Sequence, residues 1–147
     1  MPTLSLSGEL TALIRDMREI PGETSREMGT TMKRSADVVL REAKNRASWS
    51  SRIPGALMTR VTARSAARPG VDIIGRVGQA PHLRLYEGLA GKGRKKTFRH
   101  PLYGNREYWY SQATRPFIIP AVAATRPQFR KDVEDAALAA YRKAGFK

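Results

Sequence analysis

Residues 100–121 (HPLYGNREYWYSQATRPFIIPA) constrain the fold most, because they combine five aromatic residues with three of the nine prolines. Residues 101–104 (PLYG) predict a strand that ends in a turn, since proline cannot extend a β-ladder and glycine tolerates the turn. Residues 116–120 (PFIIP) predict an extended apolar peg leading into a helix, with Pro120 in the first helical turn, where its missing N–H has no partner. The segment pairs no nucleophile with a base, so its composition favours docking over catalysis.

The length of 147 residues predicts one domain spanning residues 1–147. A chain of this size buries about 68–70% of its unfolded surface, which is enough for a core without cross-links. The sequence contains no cysteine, which excludes disulfides, thiolate zinc sites and cysteine nucleophiles. No apolar stretch approaches the roughly 20 residues that span a bilayer, and the N-terminus lacks the pattern of a signal peptide. We therefore expect a soluble protein, with residues 1–21 as an N-terminal arm or short helix.

The positive charge is concentrated in the middle of the chain. The formal net charge is +14, from 27 basic and 13 acidic residues. Residues 43–131 hold 18 of the basic and three of the acidic residues, whereas the two ends together hold nine basic and ten acidic residues. Such a field favours an anionic partner, which could be a nucleic acid, an acidic protein face or a membrane surface. The alternative is a well-solvated surface without a partner.

The hydrophobic periodicity predicts an α+β fold. A capping-box pattern at residues 24–27 begins a long helix with one apolar face, and a C-terminal helix with a similar stripe continues to a stop at Gly145. Residues 57–64 alternate and predict a strand with one basic face that carries Arg60 and Arg64. Further strands are predicted at residues 71–77, 97–103 and 108–112. Together they predict a small antiparallel sheet of three to four strands, packed against a long N-terminal helix and a C-terminal helix.

Residues 90–99 (AGKGRKKTFR) form the most basic run and predict a flexible loop, because two glycines interrupt it. Their spacing does not match the phosphate-binding loop, which requires G-x-x-x-x-G-K-[ST] between a strand and a helix. What remains is a cationic loop able to contact phosphate oxygens without reading bases. The alternative is a solvated hairpin tip.

The sequence shows no candidate catalytic or metal site. His82 and His100 are the two histidines, and the nearby acids, Glu87 and Glu107, do not complete a metal-ligand pattern. An RNase-like toxin could use a histidine with arginine and tyrosine for acid–base chemistry, but no committed pair is visible. Trp109 could stack on bases, although burial in an interface fits its apolar surroundings better. We expect no enzyme activity, no metal and no cofactor.

The order of these motifs resembles the neck proteins of long-tailed bacteriophages, also called tail-completion, minor tail component or head-to-tail connector proteins. The resemblance covers roughly residues 24–144. One departure is at residues 87–89 (EGL): members often carry an aromatic residue, glycine and threonine after the glutamate, and this chain lacks both the aromatic residue and the threonine. The resemblance rests on a long helix ending near Lys44, on residues 53–57 (IPGAL), 80–82 (APH), 86–88 (YEG), 100–104 (HPLYG) and 115–121 (RPFIIPA), and on Trp109 with Gln112.

The resemblance implies a non-catalytic virion protein at the head–tail junction, present in the host cytoplasm during assembly. It implies a homo-oligomeric ring, usually sixfold, that contacts neighbouring head-completion and tail proteins and surrounds double-stranded DNA without sequence specificity. No membrane contact is implied. A tail-terminator ring, a free nucleic-acid-binding protein and the RNase-like toxin stay open as alternatives. The candidate contacts to DNA or to an acidic ring are Lys92, Arg94, Lys95, Lys96, Arg99, Arg60 and Arg64. The candidate subunit contacts are Tyr86, Tyr103, Trp109, Phe117, Ile118 and Ile119.

Overall fold

The computed structural model describes residues 22–62, 70–89, 91–143 and 145. The N-terminal arm or short helix predicted for residues 1–21 and the candidate Arg64 lie outside the described residues. The described elements are α1 (Gly22–Arg46), α2 (Ile53–Ala56), β1 (Leu57–Thr62), β2 (Gly70–Gly75), α3 (Leu83–Tyr86), β3 (Thr97–Leu102), β4 (Asn105–Ala113) and α4 (Ile118–Lys143). The predicted α+β class, with a long helix at each end of the described chain, is confirmed.

The two long helices, α1 and α4, pack against each other along their apolar stripes. The buried residues fall at helical spacing on each, with Met28, Met32, Ala36 and Val39 on α1 and Phe129, Val133, Ala137 and Ala140 on α4. At the edge of this interface, the Ser35 hydroxyl donates to the Asp132 carboxylate over 2.9 Å. Lys143 and Glu27 form an exposed ion pair that joins the ends of the two helices. Pro127 lies within α4, which continues through it.

The β1–β2 hairpin lies with one face against the helices. Ile73 packs against the helix core, and its cross-strand partner Thr59 donates a hydrogen bond to Asp37 of α1 over 3.3 Å. Because side chains alternate along a strand, the opposite face carries Met58 and Arg60, both of which are exposed. The strand with one basic face, predicted from alternation, is therefore present over the described part of β1.

The four strands form two separate two-stranded sheets, β1–β2 and β3–β4, among the described residues. This differs from the single sheet predicted: β3 and β4 pair with each other, and side-chain contacts to Tyr86, not a ladder to β1 or β2, connect them to the rest of the described chain. The short helix α3 buries Leu83 in the core, where a Cβ added to Gly75 would lie 2.6 Å from the Leu83 Cδ1 atom. Leu83 therefore packs on one face of β2 at its end.

A second buried cluster joins the sheets to the helices. It collects small and apolar residues from α1, α2, β1, α3 and the start of α4, and Phe117, with no exposed surface, is the largest of them: Ala43, Ala47, Ile53, Ala56, Leu57, Ala80, Leu83, Phe117 and Ala121. The extended apolar peg predicted at residues 116–120 is present only in part: Phe117 inserts into this cluster, but α4 begins at the next residue, so Ile118, Ile119 and Pro120 are already helical.

Candidate functional site

The buried carboxylate of Glu87 holds the start of α4. Glu87 is 1% exposed, and its oxygens accept hydrogen bonds from the backbone N–H groups of Phe117 (2.8 Å), Ile118 (3.0 Å) and Ile119 (2.8 Å). A helix leaves its first four N–H groups without internal partners, and the fourth position here is Pro120, which has no N–H. The carboxylate also lies at the positive end of the helix dipole. Glu87 therefore caps α4 completely from a distant segment of the chain.

Tyr86 connects the β3–β4 hairpin to the body of the domain. Its hydroxyl accepts a hydrogen bond from the Gln112 amide over 3.2 Å, and the Gln112 oxygen lies 2.9 Å from His100 Nε2, which must donate to it. The Tyr86 ring meets Phe98 edge-on at 5.1 Å between ring centroids and Trp49 at 4.7 Å. We call these contacts between Tyr86 and the hairpin the joint. Tyr86 is half-buried in it, so its role in the folded chain is to anchor the hairpin.

Four aromatic residues of the β3–β4 hairpin are exposed to solvent, whereas Phe98 is buried. The exposed fractions are 100% for Tyr103, 63% for Tyr108, 48% for Trp109 and 43% for Tyr110. Trp109 donates its indole N–H to the Arg106 carbonyl over 2.7 Å, which fixes the ring on the surface. Residues 106–108 of β4 have no partner on β3, because Pro101 pairs with Trp109 and Leu102 pairs with Asn105, so β4 bulges at this point. The aromatic surface, as we call Tyr103, Tyr108, Trp109 and Tyr110, therefore contributes little to the core.

The tip of the hairpin is strained at Tyr103. Tyr103 and Gly104 have φ angles of 48° and 79°, which is the pattern of a two-residue type I′ turn. Such turns favour Asn-Gly, because a bulky side chain with positive φ is sterically disfavoured. Tyr103 gains no burial in return, since its side chain is fully exposed. Backbone strain that no burial of the side chain offsets is typical of a residue whose side chain contacts a ligand or a partner protein.

The cationic side chains of the basic loop, Lys92, Arg94, Lys95 and Lys96, all face solvent. Within the part of the chain that the structure describes, none of them forms an ion pair. The backbone at the end of the loop is held in place, because the Lys95 N–H donates to Gly88 (2.9 Å) and the Thr114 N–H donates to Lys96 (2.8 Å). The loop thus presents four uncompensated cations from a backbone that is fixed at one end.

The remaining candidates separate into exposed and buried residues. Arg99 is exposed on the outer face of β3, whereas Arg60 forms an ion pair with Asp72 at 3.2 Å and is partly neutralised. Ile118 and Ile119 are half-buried at the start of α4. Phe117 was predicted to be a subunit contact, but it is fully buried in its own chain and presents no surface to a neighbour. That assignment is corrected: Phe117 is a core residue.

The basic loop and the hairpin tip lie at opposite ends of the β3–β4 hairpin. The loop joins the hairpin at its base, and β3 runs over six residues, Thr97–Leu102, before the turn at Tyr103. At about 3.3 Å per residue, the two ends are separated by about 20 Å. The candidate cations and the aromatic surface therefore form two distinct surfaces on one hairpin.

Sequence reasoning missed the role of Glu87, which the structure shows to be a helix cap. A signal existed, because Glu87 is one of three acids among residues 43–131, and a glutamate embedded between Tyr86 and Gly88 is not a typical exposed charge. Gly88 has φ +84°, and a Cβ on it would lie 2.7 Å from the Lys95 carbonyl oxygen. The Tyr-Glu-Gly motif is therefore required for the architecture.

Among the residues that the structure describes, no cluster of histidine, aspartate and glutamate could hold a metal ion. No described helix has the length and hydrophobicity to cross a membrane. Comparisons with protein-family models, curated proteins and solved structures give no match. The aromatic surface and the basic loop are therefore the two features of the described chain that bear on function.

Proposed function

We propose that this protein is a structural subunit of the neck of a long-tailed bacteriophage, where copies form a ring that joins the DNA-filled head to the tail. The observation that carries this proposal is the aromatic surface, whose four side chains are between 43% and 100% exposed, although the Tyr110 ring contacts His100. Tyrosine and tryptophan are the residues most enriched at the centres of protein interfaces. A hairpin that presents four of them suits an assembly component.

The joint beneath the hairpin supports a docking role. An isolated two-stranded sheet is marginally stable in water, and this hairpin is anchored through Phe98, His100 and Gln112 to Tyr86. The anchored face is apolar and hydrogen-bonded, while the opposite face carries Arg99, Trp109 and Ser111 toward solvent. The domain thus holds one hairpin face rigidly and offers the other for contact.

The basic loop supplies the second requirement of a neck ring, which is a cationic but sequence-independent surface toward DNA or toward an acidic neighbouring ring. Lys92, Arg94, Lys95 and Lys96 are exposed and lack acidic partners in the described chain, so their charge is available to a polyanion. Contacts of this type bind phosphates without reading bases and weaken as salt rises.

The proposal is tested by assembly and by complementation of a phage that lacks this protein. Purified protein should form or weakly populate a closed ring in multi-angle light scattering and negative-stain images, and Trp109→Ala should shift it toward the monomer. Replacing Lys92, Arg94, Lys95 and Lys96 together with Gln should leave folding intact but lower the titre of infectious particles. A strict monomer with normal titres from both variants would refute the proposal.

A free nucleic-acid-binding protein is the second candidate, favoured by the uncompensated cations of the basic loop. It predicts a monomer that retards DNA of any sequence at low salt and loses the interaction steeply as salt increases. Under the neck proposal, the monomer is an assembly intermediate and Trp109→Ala affects assembly more than DNA retention. The same two assays, applied to the aromatic and basic variants, therefore separate the two functions.

A further inference from the structure

We infer that the outer edge of β4 is a strand-pairing site for a second copy of this chain, which contributes its β1–β2 sheet. This inference rests on the proposed ring and names the contact that closes it. Four strands would then form one sheet across each subunit boundary, in place of the two separate hairpins of the single chain.

The hydrogen-bond pattern shows which backbone groups face outward. In an antiparallel pair, opposed residues alternate between those that exchange hydrogen bonds and those whose N–H and C=O groups point away. The Thr114 N–H donates to the Lys96 carbonyl over 2.8 Å, so Lys96 and Thr114 form a hydrogen-bonded pair. The next pair, Thr97 and Ala113, is therefore a non-hydrogen-bonded pair, and the two types alternate from there along the hairpin. By the register, the residues with outward-directed backbone groups are Thr97, Arg99 and Pro101 on β3, and Trp109, Ser111 and Ala113 on β4.

The two edges of the hairpin differ in how they are protected. On β3, Pro101 removes an outward N–H and Arg99 adds a charge, and both are devices that prevent further strand pairing. On β4, residues 108–113 (YWYSQA) contain no proline, glycine or charged residue. Three outward-facing peptide positions, Trp109, Ser111 and Ala113, therefore lie on a stretch of edge with strong β-propensity, and the bulge at residues 106–108 ends before them.

The character of the β4 edge favours a protein strand as its occupant. Residues 108–113 are uncharged, and the charged residues of β4, Arg106 and Glu107, lie nearer the hairpin tip, within the bulge. A nucleic acid would be attracted to the basic loop, and an uncharged row of N–H and C=O groups is matched best by another extended backbone.

A second copy offers such a backbone in its β1–β2 sheet. Within the described residues, this sheet also has two strands and unpaired edges, and its outer face carries Met58, which is 40% exposed. A closed ring needs two different, complementary surfaces on each subunit, since pairing of β4 with itself would give a two-fold dimer instead. The β4 edge and the β1–β2 sheet are two such surfaces.

Cysteine cross-linking tests the pairing directly, because the chain has no cysteine of its own. Ser111→Cys and Met58→Cys variants are mixed under conditions in which the wild type forms rings, and a short thiol cross-linker is added. The mixture should give a cross-linked pair that neither variant gives alone. In the matched control, Ser111→Cys is mixed with Ala139→Cys, which lies on the exposed face of α4. This mixture should give no cross-linked pair.

The outcomes separate this inference from the proposed function. Cross-linking of Ser111→Cys with itself would indicate a two-fold β4 pair and overturn the inference. Rings that form without a Ser111–Met58 cross-link would overturn the inference and leave the neck proposal standing. Failure of the wild type to form rings under any condition would overturn the inference, and it would refute the neck proposal as well if the aromatic and basic variants also gave normal titres.

An edge-blocking variant gives an independent measurement. Ser111→Pro removes an N–H that points away from β3, so the hairpin ladder is retained, and the ring population should fall at least about tenfold. Thr97→Pro makes the matched change on the protected β3 edge and should leave the ring population unchanged. Ser111→Lys serves as a second blocking variant if the proline reduces folding. Equal ring populations in the wild type and in both Ser111 variants would overturn the inference.

Discussion

Replacing Glu87 with Gln tests whether a distant carboxylate holds the start of α4. The glutamate oxygens accept three backbone N–H groups, two on Oε2 and one on Oε1. In its best orientation, the glutamine carbonyl keeps the two bonds to Phe117 and Ile118, and its NH2 group faces the N–H of Ile119. The variant therefore removes one hydrogen bond and the charge while changing almost no volume.

The expected loss in the free energy of unfolding is about 3 kcal/mol. An unsatisfied buried donor costs about 1–3 kcal/mol, a hydrogen bond to a charged acceptor exceeds a neutral one by about 1 kcal/mol, and the helix-dipole contribution adds about 0.3–1 kcal/mol. Since about 1 kcal/mol corresponds to roughly 2–4 °C in a domain of this size, the melting temperature should fall by about 6–12 °C.

The assay is urea and thermal unfolding followed by tryptophan fluorescence, because Trp49 contacts Tyr86, the neighbour of the substituted residue. Glu107→Gln is the matched control, since Glu107 is exposed and the same change there should alter stability by less than about 0.5 kcal/mol. If Glu87→Gln were as stable as the control, the carboxylate cap would not stabilise α4 as argued.

Three further substitutions follow from the same structure. Gly88→Ala should destabilise the fold by at least about 2 kcal/mol in urea titrations, because the new Cβ meets the Lys95 carbonyl and the backbone has positive φ; stability equal to the wild type would contradict this. Phe117→Ala should cost about 3–5 kcal/mol by the same measurement, whereas a change seen in assembly alone would restore Phe117 as an interface residue. Tyr103→Asn creates the Asn-Gly turn and should raise the melting temperature by about 2–4 °C while lowering the ring population in light scattering; a lower melting temperature would contradict the assigned strain.

The elements with a clear period were predictable from the sequence. The apolar stripe of Met28, Met32 and Ala36 gave the long helix, and alternation from Leu57 gave β1 with its exposed basic face. The turn at residues 103–104 was predicted from its glycine, although the turn type depends on Tyr103, whose positive φ no propensity would have indicated.

Contacts between distant segments were not predictable. Glu87 lies 30 residues before Phe117 in sequence, so its role as a cap is invisible to the local patterns that identify helix starts. The division into two sheets is a question of which strands pair, and the alternation of residues within each strand does not indicate it. Likewise, Phe117 had the composition of an interface residue, and only its surroundings show that it belongs to the core.

The joint between the hairpin and the domain has a consequence for how this protein can diverge. The contacts that hold the hairpin lie at its base, at Tyr86, Phe98 and Gln112, and the residues beyond Pro101 are largely exposed. Substitutions beyond Pro101 should therefore have little effect on folding. They should be constrained instead by the partner that this part of the hairpin contacts. In related chains, the base should change slowly, while the tip should change together with the surface of its neighbour.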